Sequence, residues 1–203
     1  MNERGMIFNA EMVRAILDGR KTQTRRPVKF PLIDKNMGGE LAGNELAGEL
    51  AAHNYWNSPY GKPGDRIWVR ETFRVHSRAT DVATLVYRAS VRNSWTEQTH
   101  RVPIAVCDKP ATPEKWTPSI HMPRWASRIL LEITDVRVER LRDLSEEDAK
   151  SEGITPPAGG VLPGWEYRIN FRDLWMDIYG TDSWEANPWV WVIEFKRVEG
   201  AAL

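Results

Sequence analysis

Cysteine is almost absent from this chain: Cys107 is the sole one among 203 residues. An internal disulfide is therefore excluded, which fits a reducing compartment. Net charge is absent too, with 28 basic side chains against 28 acidic. The molecule is no polycation, and any contact with nucleic acid has to come from a local patch. Histidine is scarce: His53, His76, His100 and His121 lie far apart, with no H-E-x-x-H or C-x-x-C around them. No metal site is expected from that pattern. Phosphate-binding glycine loops, dinucleotide fingerprints and G-x-S-x-G elbows are missing as well, and no cofactor is expected. No apolar run approaches the length of a membrane span, and the opening M-N-E-R-G-M-I-F lacks a signal-peptide core. The expectation is a soluble, cytoplasmic protein with no membrane partner.

What the chain does have is tryptophan, ten in all, and one dense polar stretch. Ile16 to Pro27 reads I-L-D-G-R-K-T-Q-T-R-R-P. An apolar helical run, with Met12 over Ile16 and Val13 over Leu17, is expected to start at Asn9 and end at Gly19. Arg20, Lys21, Arg25 and Arg26 then crowd around the hydroxyls of Thr22 and Thr24. In a turn or a helical start, Lys21 and Thr24 fall on one side. Strand alternation marks Arg66 to Phe73, Thr84 to Ala89, Ile129 to Val138 and Trp189 to Val198. Ser145, with Asp148 three residues on, caps a short helix that Gly153 ends; Phe171, Leu174, Trp175 and Ile178 mark a second, closed by Gly180. Residues 90 to 118 and Thr155 to Gly164 read as loops. The near-repeat from Glu40 to Ala52 is too short for a solenoid; a short helix is weakened by its glycines, and the stretch reads as an insertion or lid. These elements do not repeat as βαβ units. They predict one α+β domain, a small, mostly antiparallel β-barrel with peripheral helices, insertions at about 35–60 and 90–115, and no linker.

Three features bear on chemistry. Threonine becomes a nucleophile only when a base removes its proton, and a lysine can do so when desolvated or crowded by cations. Lys21 and Thr24 have that crowding, although spacing alone favours a solvated basic turn after a helix. Glu152 stands at a helix C-terminus, where the dipole disfavours negative charge, so it needs a partner cation. It is a candidate acid for a leaving amine. Arg25, Arg26, Arg70, Arg124 and Arg128 are candidate phosphate or base contacts, and Trp68 a stacking surface. Trp125, Trp189 and Trp191 read as core.

Together G-R-K-T-x-T-R-R, G-D-R-I-W-V, L-S-E-E-D-A-K-S-E-G-I and the closing W-V-W-V-I-E-F-K-R-V resemble an ASCH domain, a fold similar to the RNA-associated PUA barrel. The longer form, with P-S-I-H-M-P-R-W-A-S-R and N-P-W-V-W-V-I-E-F, looks like the phage and prophage branch. One branch with this architecture is similar to bacterial N4-acetylcytidine amidohydrolases, about half this length. The resemblance implies Lys21 as proton acceptor, Thr24 as nucleophile and Glu152 as proton donor, acting on a modified nucleoside or RNA. Other relatives look like RNA-binding modules or ribonucleases, so the fold alone does not fix the activity.

Overall fold

The computed structural model describes residues 1–90, 99–156 and 164–198. In chain order its strands are β1 (Glu3–Ile7), β2 (Gln23–Pro27), β3 (Arg66–Arg70), β4 (Phe73–Arg78), β5 (Val82–Tyr87), β6 (Thr99–Pro103), β7 (Leu130–Arg140) and β8 (Trp189–Arg197). Its α-helices are α1 (Ala10–Leu17), α2 (Gly43–Ala51), α3 (Glu146–Ser151) and α4 (Glu166–Tyr179). This is an α+β arrangement whose strands form two sheets; no closed barrel is found among the described residues. No helix among them is long and apolar enough to cross a membrane.

The chain divides into two compact units. One comprises Met1–Asp18, Arg66–Glu132 and the chain's end from Arg197; the other comprises Gly19–Asp65 and Ile133–Lys196. Each unit is assembled from separated segments, which is why no linker in the sequence announces them.

In the first unit β1 runs parallel to β3, and β3 runs antiparallel to the first residues of β7. Asn9 caps α1 by accepting the Met12 N–H at 2.8 Å, and Val13, Ala15 and Ile16 form its buried face. The strand expected over Arg66 to Phe73 is broken: β3 stops at Arg70 and β4 begins at Phe73, with Glu71 buried between them. β4, β5 and β6 form an antiparallel sheet around Phe73, Val75, Leu85, Tyr87, Val102 and Met122. β6 corrects the expectation of a loop over 90–118, where polar and proline residues mask a strand paired to β5. Residues 91–98 of that stretch lie outside the described residues.

In the second unit the strand order is β7-β8-β2, and β2 pairs antiparallel with β8 in the register Gln23↔Glu194 to Pro27↔Val190. Strand period sends Val190 and Val192 to one face, where they pack with Leu141, Leu144, Ala149, Phe171, Trp175 and Trp184. Each of the valine, leucine and phenylalanine side chains contributes about 1.5–3 kcal/mol on burial. Trp189 and Trp191 point to the other face. Trp191 meets Tyr60 edge-on with ring centroids 5.8 Å apart. Trp189 lies on Gly43, where a Cβ would come within 2.3 Å of the indole nitrogen. The near-repeat is therefore a packed helix, α2, whose Leu46 and Leu50 are buried; it is not a free lid. The loop expected over Thr155 to Gly164 lies mostly outside the described residues.

Candidate functional site

Lys21 does not sit in a turn. It pairs with Glu152 in an isolated antiparallel bridge, Thr22 N–H donates to the Ser151 carbonyl at 2.8 Å, and β2 follows from Gln23. In extended chain, side chains alternate, so Lys21, Gln23 and Arg25 share one face. Their contacts agree: all three reach the segment from Asp148 to Glu152. Ser145 fixes that segment from its start. Its hydroxyl accepts the Asp148 N–H at 3.0 Å, and its own N–H donates to Asp148 Oδ2 at 3.1 Å. Gly153, at φ 85°, stops the helix so that Glu152 is its C-cap.

At that terminus Lys21 Nζ donates to Glu152 Oε2 at 2.7 Å and to the Glu152 carbonyl at 2.9 Å. The other carboxylate oxygen, Oε1, accepts from Arg25 Nη1 at 3.2 Å. The side chains of Lys21 and Arg25 are fully buried, and that of Glu152 is 4 % exposed. A carboxylate at a helix C-terminus needs cations, and here two of them hold one oxygen each. Burial pushes the Lys21 ammonium below its ordinary range; Glu152 opposes this, and the charges of Arg26 and Arg25 add to it.

Arg25 continues the network. Its Nη2 reaches Glu139 Oε1 at 2.6 Å and Asp148 Oδ1 at 3.5 Å. Arg137 contacts Asp148, Glu139, Glu194 and Asp135 in turn. Gln23 Nε2 donates to Asp148 Oδ1 at 3.0 Å. Burial raises the Asp148 carboxyl, but hydrogen bonds from Ser145 and Gln23 and the charge of Arg25 hold it down at about 2.

Strand geometry separates what the turn reading joined. Thr24 lies on the alternate face of β2, opposite Ile193, and is buried. Among the described residues no hydrogen bond links it to Lys21. Arg26 follows on the Thr24 face, opposite Trp191, and its charge acts on Tyr60. Arg25 differs from the expectation of a substrate contact: its guanidinium is buried among protein carboxylates. Gln23, Glu139 and Arg137 were not singled out in the sequence, and Asp148 was read only as part of a helix cap. The signal that could have found Gln23 is the i, i+2, i+4 spacing of Lys21, Gln23 and Arg25.

The remaining candidates belong to the first unit. Arg128 grips Glu71 with both Nε (2.8 Å) and Nη2 (3.0 Å), and its guanidinium lies 4.0 Å from the centre of the Tyr87 ring. Burial raises the Glu71 carboxyl against that ion pair. Arg124 Nε donates to Glu3 at 2.9 Å. Arg70 donates to the Ile120 carbonyl and lies 5.4 Å from the Trp68 ring centre. Trp68 packs on Gly5, where a Cβ would fall 2.6 Å from the ring. In this arrangement Arg124 and Arg128 bind protein carboxylates, and Trp68 fills the space that the glycine leaves.

Beside the Lys21–Glu152 bridge is a cavity of about 510 Å³, lined in part by Arg20, Thr22, Glu147, Lys150 and Tyr167. No group of three His, Cys, Asp or Glu among the described residues could hold a metal ion. No protein-family model, curated protein or solved structure matches this chain.

Proposed function

We propose that this chain is a hydrolase of acylated nucleosides, built on an ASCH-like, PUA-related fold and acting in the simplest case on N4-acetylcytidine. The buried Lys21–Glu152 pair, 2.7 Å apart, is the observation that carries the reading. A lysine in water at neutral pH is an ammonium and takes no proton. Burial and neighbouring arginines make this one easier to neutralise. A neutral amine has two N–H bonds and one lone pair. Its two N–H bonds satisfy Oε2 and the carbonyl of Glu152, which leaves one lone pair to take a proton.

In the proposed reaction Thr24 Oγ1 attacks the acetyl carbon and its proton passes to Lys21. A proton then crosses the 2.7 Å hydrogen bond from Lys21 to Glu152 and goes on to the exocyclic nitrogen. The C–N bond breaks, cytidine leaves and the acetyl group remains on Thr24. Water attacks that ester, gives its proton to Lys21, and Thr24 Oγ1 recovers a proton as acetic acid departs. Thr24 lies on the alternate face of β2, so the reaction requires a proton relay between its hydroxyl and Lys21.

The test is release of cytidine from N4-acetylcytidine by the purified chain. Turnover lost in Thr24→Ala and kept in Thr22→Ala supports Thr24 as nucleophile. Turnover kept in Thr24→Ala and lost in Lys21→Met transfers the attack to water. No turnover at high enzyme concentration sinks the substrate assignment.

A further inference from the structure

The ionic network around Arg25 is closed on itself, whereas the neighbouring cavity is not. Arg20, Thr22, Glu147, Lys150, Ser151 and Tyr167 bring charges of both signs and three hydroxyls to its wall, and Ile154 and Pro156 add apolar surface. Arg20 is anchored by an Nη1–H bond to the Gly153 carbonyl at 2.9 Å. Among the described residues the side chains of Lys150, Glu147 and Thr22 make no hydrogen bond or ion pair. Their positions follow from the fold: Glu147 and Lys150 are three apart on α3 and therefore neighbours on one helix face. Thr22 stands between Lys21 and β2, and its N–H bond to Ser151 closes the wall beside the buried pair.

We propose that this cavity binds a nucleoside 5′-monophosphate, with the phosphate held by Arg20 and Lys150. A guanidinium fork and a mobile ammonium are the two side chains suited to phosphate oxygens. Glu147 accepts from the ribose hydroxyls, and Tyr167 with Ile154 and Pro156 supplies a flat, largely apolar surface for a pyrimidine. The volume is within the range of small-molecule pockets. The inference rests on the hydrolase reading only for the reaction that follows binding. The cavity neighbours the Lys21–Glu152 pair, and on that reading the substrate is a nucleotide rather than a free nucleoside.

The experiment is a calorimetric titration of the full chain with cytidine 5′-monophosphate and, separately, with cytidine. Expected is binding of the monophosphate at least about tenfold tighter than cytidine, weakening as salt rises. Lys150→Ala and Arg20→Ala each reduce it by about tenfold, a loss of one charged contact. Both side chains are exposed, so both variants keep the wild-type melting temperature. Arg172→Ala, at a partly exposed arginine paired to Asp173, leaves binding unchanged. Equal affinity for the two ligands, no binding of either, or unchanged affinity in both variants overturns the cavity assignment. Monophosphate binding lost in the two variants, without hydrolysis of any acetylated cytidine, upholds the cavity and removes the hydrolase reading. Hydrolysis of N4-acetylcytidine with no gain from a 5′-phosphate does the reverse.

Discussion

Lys21 Nζ lies 2.7 Å from Glu152 Oε2, in a pair almost wholly removed from water. One partner sits before β2 and the other caps α3. The pair joins elements more than a hundred residues apart in sequence, and it is not symmetric. Glu152 has a second cation, Arg25, whereas among the described residues Lys21 has no second carboxylate within hydrogen-bonding distance.

That asymmetry predicts unequal stability effects. Lys21→Met leaves Glu152 paired to Arg25 and costs about 1–2 kcal/mol. Glu152→Gln strips Lys21 of its counter-charge and costs about 3–5 kcal/mol, the usual penalty for breaking a buried pair. Urea unfolding of both variants and of the double variant measures the difference, with the double variant close to Lys21→Met.

The Lys21 shift has a signed consequence for pH. Its folded-state ammonium is lowered, chiefly by burial. Below the folded value both states bind the proton and stability is flat with respect to this group. Between the folded value and the ordinary lysine range, near 10.4, the unfolded state binds more protons, so stability from this group rises with pH. On the proposed mechanism, kcat/KM on N4-acetylcytidine is expected to rise as Lys21 loses its proton. Lys21→Met removes both dependences, read by thermal melts and by rate–pH profiles.

Asp148 acts with the same sign, but in the acid range. Its carboxyl is held at about 2, so its contribution is present above the ordinary aspartate range near 3.8 and is lost as pH falls towards 2. Asp148→Asn should flatten the melting temperature across that acid window. It should also lower stability at neutral pH, because Ser145, Gln23 and Arg25 all bind this carboxylate.

A backbone position provides a third structural test. Gly43→Ala places a methyl group 2.3 Å from the Trp189 indole nitrogen. Trp189 or α2 has to shift, at a cost of about 1–3 kcal/mol. Gly48→Ala, on the same helix with nothing within 4 Å, should be neutral to stabilising. Melting temperatures of the two variants decide it.

The helices were the most legible part of the chain. Asn9, Ser145 and Gly180 mark helix ends by chemistry that acts within a few residues, and each stands where that chemistry requires it. β7 and β8 were legible from alternation of large apolar side chains. β2 was not, because its alternation is polar: Lys21, Gln23 and Arg25 look like a solvated turn until the carboxylates of Glu139, Asp148 and Glu152 are beside them. Those partners are over a hundred residues away, and no local signal encodes them. β6 was hidden for a related reason, since its pairing with β5 lies outside its own sequence. Glu152 was the exception. A carboxylate at a helix C-terminus demands a cation on local grounds, and the structure supplies two.

The central claim is that the buried lysine moves protons during amide hydrolysis. The most direct measurement is the single-turnover rate of cytidine release from N4-acetylcytidine, and from its 5′-monophosphate, for the wild-type chain and for Lys21→Met. The account predicts release by the wild type with a rate that rises with pH. It predicts a loss of at least about a hundredfold in folded Lys21→Met, within the range general-base catalysis contributes. Equal rates in the two folded proteins would contradict it.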